Sequence, residues 1–217
     1  MSYIFPPAPP VTLDVIGLDK TFPVRRIYCV GRNYTEHVRE MGGDVNRSEP
    51  VFFTKAAETL VKSGTSIPYP PNTKDLHHEV ELVVAIGPST EIFGYGVGID
   101  MTRRDLQAKA KAAGGPWARA KNFGLSAPCS ALTLAENVDL SKAHIVLRKN
   151  GDIVQSSALN KMIWSVEEII SYLKKDMDLQ AGDLIYTGTP AGVGPVKIGD
   201  ELSGGIEGLE RITVNFV

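Results

Sequence analysis

Residues 76–105 read LHHEVELVVAIG, a short polar interval, then GYGVGIDMTRRD. Both runs carry β-type alternation rather than a helical period, so a sheet is the framework. Side chains at i and i+2 of a strand face the same way. Glu79 and Glu81 therefore share one face, and Val80, Leu82 and Val84 share the other. A third carboxylate, Asp100, ends the second run at residues 95–99. Carboxylates aimed at one place repel one another unless something positive sits between them. A hard divalent cation meets that need, and three carboxylates suit Mg²⁺, Mn²⁺ or Ca²⁺ better than zinc. On spacing alone an exposed strand with an acidic outer face is the simpler alternative. The expectation drawn here is that the apolar face is core and the carboxylate face opens on a cleft.

The 217 residues suffice for one domain with a sizeable core. A net charge of −2 implies no broad basic surface, so no nucleic-acid partner is expected. No stretch reaches membrane-spanning length, and the N-terminal residues lack the basic start and apolar core of a signal peptide. A cytoplasmic protein is the expectation. Cys29 and Cys129 belong to no metal or redox spacing and read as buried, reduced thiols.

Residues 1–24 carry five prolines around a short apolar run, which predicts an extended N-terminal arm with one edge strand. Residues 25–217 form a single domain. Residues 26–31 (RIYCVG) and 50–54 (PVFFT) read as strands. Asn33 with Glu36 predicts a capped short helix stopped by Gly42-Gly43, and His37 and Glu40 share its face at i and i+3. Thr102 with Asp105 predicts a second cap, for a helix ending near Ala113. Ser165 with Glu168 predicts a third, opening a helix over residues 166–174. Asn150-Gly151 between two β-type runs predicts a hairpin. Strands outnumber helices and lack a βαβ rhythm, so the fold class is α+β with mainly antiparallel sheet.

GTPAGVG at residues 188–194 lacks the Lys-Ser/Thr of a phosphate-binding P-loop. A tight turn bringing Thr189 and backbone N–H groups near an anionic ligand suits it better. His37 and Glu40 are either a solvated helix pair or a dyad that activates water. His77 and His78 read as supports beside the acidic strand, and Lys55 and Lys121 as lysines bordering apolar stretches.

Six blocks in order carry a resemblance: VGRNYTEHVREMGG (30–43), FFTK (52–55), HHEVEL (77–82), GYGVGIDMTRRDLQ (94–107), WARAKNF (117–123) and GDLIYTGTPAGVGPVKIGD (182–200). Together they resemble the fumarylacetoacetate hydrolase family, and within it the small acylpyruvase and fumarylpyruvate hydrolase members. The resemblance implies a mixed, largely antiparallel β-roll, assembled as a homodimer. It implies Mg²⁺ or Mn²⁺ on Glu79, Glu81 and Asp100, and a water-activating dyad of His37 and Glu40 in a lid. It implies a catalytic Lys121, with Arg32, Lys55, Arg104, Gln107 and Thr189 contacting or shaping the site of a 2-oxo acid substrate. The implied activity is hydrolysis of a C–C bond in an acylpyruvate, in aromatic-compound catabolism. Oxaloacetate decarboxylation or tautomerisation, and 2-hydroxyhepta-2,4-diene-1,7-dioate isomerisation, are alternatives on the same scaffold. A non-catalytic, metal-containing β-roll that only binds a small acid is the alternative from another class. Members of the family carry a longer connection than residues 88–93 between the two acidic strands.

Overall fold

The computed structural model describes residues 2–42 and 49–217. In chain order its strands are β1 (Thr12–Asp14), β2 (Thr21–Pro23), β3 (Arg26–Gly31), β4 (Val51–Lys55), β5 (Leu60–Lys62) and β6 (Ser66–Ile67). There follow β7 (Leu76–His78), β8 (Val80–Ile86), β9 (Ile92–Ile99), β10 (Thr102–Arg103), β11 (Ala127–Cys129) and β12 (Thr133–Leu134). The last are β13 (His144–Lys149), β14 (Asp152–Ala158), β15 (Asp183–Tyr186), β16 (Gly194–Val196), β17 (Glu201–Ile206) and β18 (Ile212–Phe216). Four short helices accompany them among the described residues: α1 (Thr35–Glu40), α2 (Arg104–Ala112), α3 (Ala118–Lys121) and α4 (Val166–Asp176).

The main sheet runs β4-β3-β15-β8-β9-β11-β5, with β12 added beside β9. Its pairings are antiparallel except β3–β15 and β5–β11. A second sheet, β14-β13-β17-β18-β6, packs against it, and β10-β7-β16 forms a small third. This is an α+β fold with mixed, mainly antiparallel sheets, the class that the strand-rich sequence predicts and the β-roll that the resemblance implies.

Strand β8 is the axis. All seven of its residues are buried, and its two faces enter two different cores. Val80, Leu82, Val84 and Ile86 join the larger core with Ile145, Leu147, Leu202 and the α4 residues Ile169 and Leu173. Val83 and Ala85 join a second core with Ile27, Cys29, Leu184 and Tyr186. The carboxylate face is therefore solvent-free along most of its length. It changes from apolar core to polar cavity only at its N-terminal end, where Glu81 and the preceding Glu79 stand. The acidic outer face of an exposed strand is excluded, since Glu79 is 5% and Glu81 2% exposed.

The Asn150-Gly151 turn joins β13 to β14 with both residues at positive φ, as the dipeptide predicts. Ser165 and Glu168 form the reciprocal cap at the start of α4. The other two predicted caps are not made. Helix α1 begins without a side-chain cap, and Asn33 bonds elsewhere. Its amide donates to Thr187 O at 2.7 Å and Trp164 O at 3.0 Å and accepts from Trp164 N at 2.7 Å. Helix α2 likewise starts uncapped. Thr102 faces Lys121 instead, and Asp105 accepts from the Thr73 hydroxyl and the Lys74 backbone. In both cases buried tertiary partners outcompete the local cap. Gly42 takes positive φ just past α1, and Gly43 lies outside the described residues.

Residues 12–23 fold back as the β1–β2 hairpin, and Leu13, Val15, Phe22 and Val24 enter the second core. Only the beginning, with Tyr3, Ile4 and Phe5 exposed, resembles an arm. The 88–93 connection is a closed turn: Gly87 N donates to Glu91 O at 2.9 Å, and Ser89 N to the Glu91 carboxylate at 2.7 Å. Both cysteines are free and buried.

Gly98 on β9 packs tightly against side chains beside the axis. A Cβ there would meet Tyr186 Cε1 and Val83 Cγ2 at 2.5 Å each. Gly98→Ala should cost about 1–3 kcal/mol of stability through overpacking. Chemical denaturation of the two proteins checks this; an unchanged midpoint would show that the Tyr186 ring can yield.

Candidate active site

The cavity opens where β8, β9, α2 and the glycine-rich loop converge. Glu79, Glu81 and Asp100 are all buried, with one carboxylate oxygen from each lying within 4.8 Å of the others. Glu79 stands in the break between β7 and β8, Glu81 lies in β8, and Asp100 follows β9. Three anions so close and so dry need compensation. Lys121, at the end of α3, donates to Glu79 Oε2 at 2.7 Å, Asp100 Oδ2 at 2.6 Å and Thr102 Oγ1 at 2.6 Å. Arg104 Nη2 donates to Glu79 Oε1 at 2.5 Å, while its Nη1 reaches Gln107 at 2.6 Å.

Compensation is uneven. Burial pushes the Glu79 carboxyl up, but Lys121 and Arg104 together hold it well below the ordinary carboxylate range. Burial, then Asp100 and Glu79, push the Glu81 carboxyl well above it, against only a 2.7 Å bond from Gly188 N. Burial lowers the Lys121 ammonium, yet Asp100 and Glu79 more than offset this and raise it. Glu81 is thus the one carboxylate of the three that lacks a cationic partner. A divalent cation held by the three would supply what Glu81 lacks, so the donor set fits Mg²⁺ or Mn²⁺.

Lys55 sits elsewhere than the resemblance implies. Its ammonium donates to Met101 O, Lys121 O and Ser126 Oγ and lies 2.9 Å from Asp100 Oδ1. It is absent from the cavity lining. It backs Asp100 from the interior instead of facing a substrate carboxylate.

His37 on α1 lines the cavity, and its Nδ1 is 3.1 Å from Glu40 Oε2. The other Glu40 oxygen accepts from Gly192 N at 3.0 Å. The glycine-rich loop therefore spends two N–H groups on the protein's own carboxylates, Gly188 on Glu81 and Gly192 on Glu40. The expectation that backbone N–H groups of this loop face an anionic ligand does not hold for these two. Gly192 has φ of +94°, and a Cβ would meet Val154 O at 2.1 Å, so no larger residue fits. Thr189 lines the cavity, oriented by Gln155 Nε2 at 2.8 Å.

Gln155 is a residue the sequence reading passed over. Fully buried on β14, it also bonds His78 Nδ1, Val80 N and Pro190 O. It ties the acidic strand to the threonine loop. His78 is held by this bond, and burial lowers its pKa to about 4. His77 pairs with Asp75 and receives Arg104 Nε. Both histidines support the site from behind. Arg32, Gln107, Phe53, Lys111 and Trp117 complete the cavity. Lys111 was not anticipated, although Arg104, Gln107 and Lys111 fall on one helical face.

The fold agrees with that of related proteins. The model of the fumarylacetoacetate (FAA) hydrolase C-terminal family matches residues 26–217. The chain belongs to the fumarylacetoacetate hydrolase family. Fumarylpyruvate hydrolase from a Ralstonia species is 44% identical over 186 residues, spanning 80% of this chain and 97% of that protein. The mitochondrial oxaloacetate tautomerase FAHD1 of Homo sapiens is 43% identical over 200 residues, spanning 87% of this chain and 90% of that protein. The crystal structure of fumarylpyruvate hydrolase from Pseudomonas aeruginosa in complex with Mn²⁺ and pyruvate superposes with a TM-score of 0.96. It is 44% identical, covering all of this chain and 99% of that one. The relatives named here are enzymes, and among the described residues no helix is long and apolar enough to cross a membrane.

Asn33 is the clamp that seats α1 over the cavity, through Trp164 on one side and Thr187 on the other. Asn33→Ala strands those buried backbone groups and should cost about 2–4 kcal/mol. Guanidinium denaturation measures it, and a loss below about 1 kcal/mol would mean that water replaces the amide.

Proposed function

We propose that this protein is a divalent-metal-dependent hydrolase of 2,4-diketo acids, cleaving an acylpyruvate such as fumarylpyruvate into pyruvate and a carboxylic acid. The observation that carries the reading is the meeting, in one cavity, of the carboxylate triad and His37, whose Nδ1 lies against Glu40. A triad alone suits any enolate chemistry, whereas an oriented base suits a hydrolytic water.

Glu79, Glu81 and Asp100 would hold Mg²⁺ or Mn²⁺, which supplies Lewis-acid polarisation of the substrate's 2-oxo group. Glu40 accepts from His37 Nδ1, leaving Nε2 free to take a proton from water. The resulting hydroxide adds to the 4-carbonyl carbon. The bond between carbons 3 and 4 then breaks, its electron pair passing into the pyruvate enolate, which is protonated on carbon 3. The Lys121 ammonium faces that developing negative charge. Gln107, Thr189 and Arg32 orient substrate oxygens, and Arg104 keeps Glu79 in place. Assembly as a homodimer and a cytoplasmic location belong to the same proposal; light scattering in solution tests the first.

A second reading is oxaloacetate tautomerisation or decarboxylation, supported by the human relative of that name at similar identity. These reactions need the enolate and not the hydrolytic water. Fumarylpyruvate, acetylpyruvate and oxaloacetate, each with Mg²⁺ and with EDTA, separate the readings. No metal-dependent turnover of any would favour a module that only binds.

Glu79→Gln should abolish Mg²⁺ binding in calorimetry together with every activity; parental affinity in that variant would remove the triad as the metal site. His37→Ala should keep Mg²⁺ and lose about 10²–10⁴-fold in acylpyruvate hydrolysis. Unchanged hydrolysis would take the dyad out of the reaction.

A further inference from the structure

Helix α2 carries a row of three side chains along the cavity wall. Arg104, Gln107 and Lys111 all line it. Arg104 is committed to Glu79 and Gln107. Lys111 lies seven residues on, about 10 Å further along the helix axis. It stands at the cavity mouth, its ammonium 5.5 Å from the Trp117 ring centroid.

Arg32 shares this mouth. It is held at a φ of 61°, a conformation that non-glycine residues seldom adopt. Such strain persists where the surrounding structure requires a side chain to be aimed. Among the described residues neither Arg32 nor Lys111 has a side-chain hydrogen bond or ion pair. Every other cation on this wall is neutralised: Lys121 by Glu79 and Asp100, and Arg104 by Glu79.

We propose that Lys111 and Arg32 form an anion subsite at the cavity mouth that takes a second carboxylate of the substrate, remote from the 2-oxo acid end. The inference rests on the reading that the triad side binds a 2-oxo acid. It adds that the natural substrate is a long dicarboxylate. A neutral acyl group leaves both cations unpaired, and the second carboxylate of oxaloacetate lies too close to its 2-oxo group to reach two helical turns away.

Burial, then Arg104 and Arg32, lower the Lys111 ammonium below its ordinary value, as expected of cations gathered without an anion. The adjoining apolar hollow, lined by Phe52, Phe53, Pro116 and Trp117, is the competing seat for a tail. It offers a carboxylate no cation beyond Lys121, which is already paired.

The test uses two 2-oxo acids that lack a 4-oxo group and so cannot be hydrolysed. 2-Oxoadipate carries the distal carboxylate, and 2-oxohexanoate has the same chain without it. Their affinities for the Mg²⁺-loaded protein are measured by calorimetry. The parent should prefer 2-oxoadipate by about tenfold or more, the scale of a charge-assisted pair. Lys111→Met should erase most of that preference, and Lys111→Arg should keep it. In turnover, Lys111→Met should lower the ratio of kcat/KM for fumarylpyruvate over acetylpyruvate by a similar factor. Equal binding of the two acids by the parent, or a preference that survives Lys111→Met, overturns the subsite. A preference for 2-oxohexanoate would place the tail in the apolar hollow and overturn it too. Binding of neither acid would bring down the 2-oxo acid reading and the subsite with it. A preserved binding preference without any hydrolysis would leave the subsite standing and overturn the hydrolase reading alone.

Discussion

Three carboxylates packed out of water within 4.8 Å of one another set the terms for everything around them. Burying one unpaired carboxylate is costly enough to neutralise it or unfold its surroundings. Here Lys121 and Arg104 crowd in from two helices, Lys55 backs Asp100 from the interior, and Gly188 lends an N–H to Glu81. The chain places these groups from four separate segments, and the rigid sheet beneath them keeps the anions in register. Strand β8 makes this workable because its hydrophobic residues anchor two cores at once. The polar end of the strand cannot shift without disturbing both.

Much of this is legible in the chain. The β8 pattern discloses its two faces directly, since alternation is a backbone property. The Asn150-Gly151 hairpin and the Ser165–Glu168 cap are local chemistry with no buried competitor, and both form as read. Asn33 and Thr102 look like caps by the same local logic and are not, because each finds buried partners far along the chain. A short-range pattern carries no information about a partner 131 or 154 residues away. The second face of β8 was open to the same error: residues 79 and 81 point to a cavity, but residues 83 and 85 on the same side point to core.

The site divides in a similar way. Carboxylates announce themselves by charge in an apolar run. Gln155 does not, because a neutral amide in a strand is unremarkable until the strands it joins are known. Lys55 shows the reverse case. The resemblance sets this lysine near a substrate carboxylate, yet here each of its contacts is turned inward, and it bears on the site through Asp100 and the Lys121 backbone.

The bond between Glu40 and Gly192 joins two segments 152 residues apart. The placement of His37 over the cavity therefore belongs to neither segment alone. His37 and Glu40 both belong to α1, so the bond to Gly192 fixes where the pair stands over the cavity, while the pair itself is held within the helix. Because a Cβ on Gly192 would run into Val154 O, the absence of a side chain there lets the loop come close enough to hold Glu40, and through it His37, in register with the carboxylates.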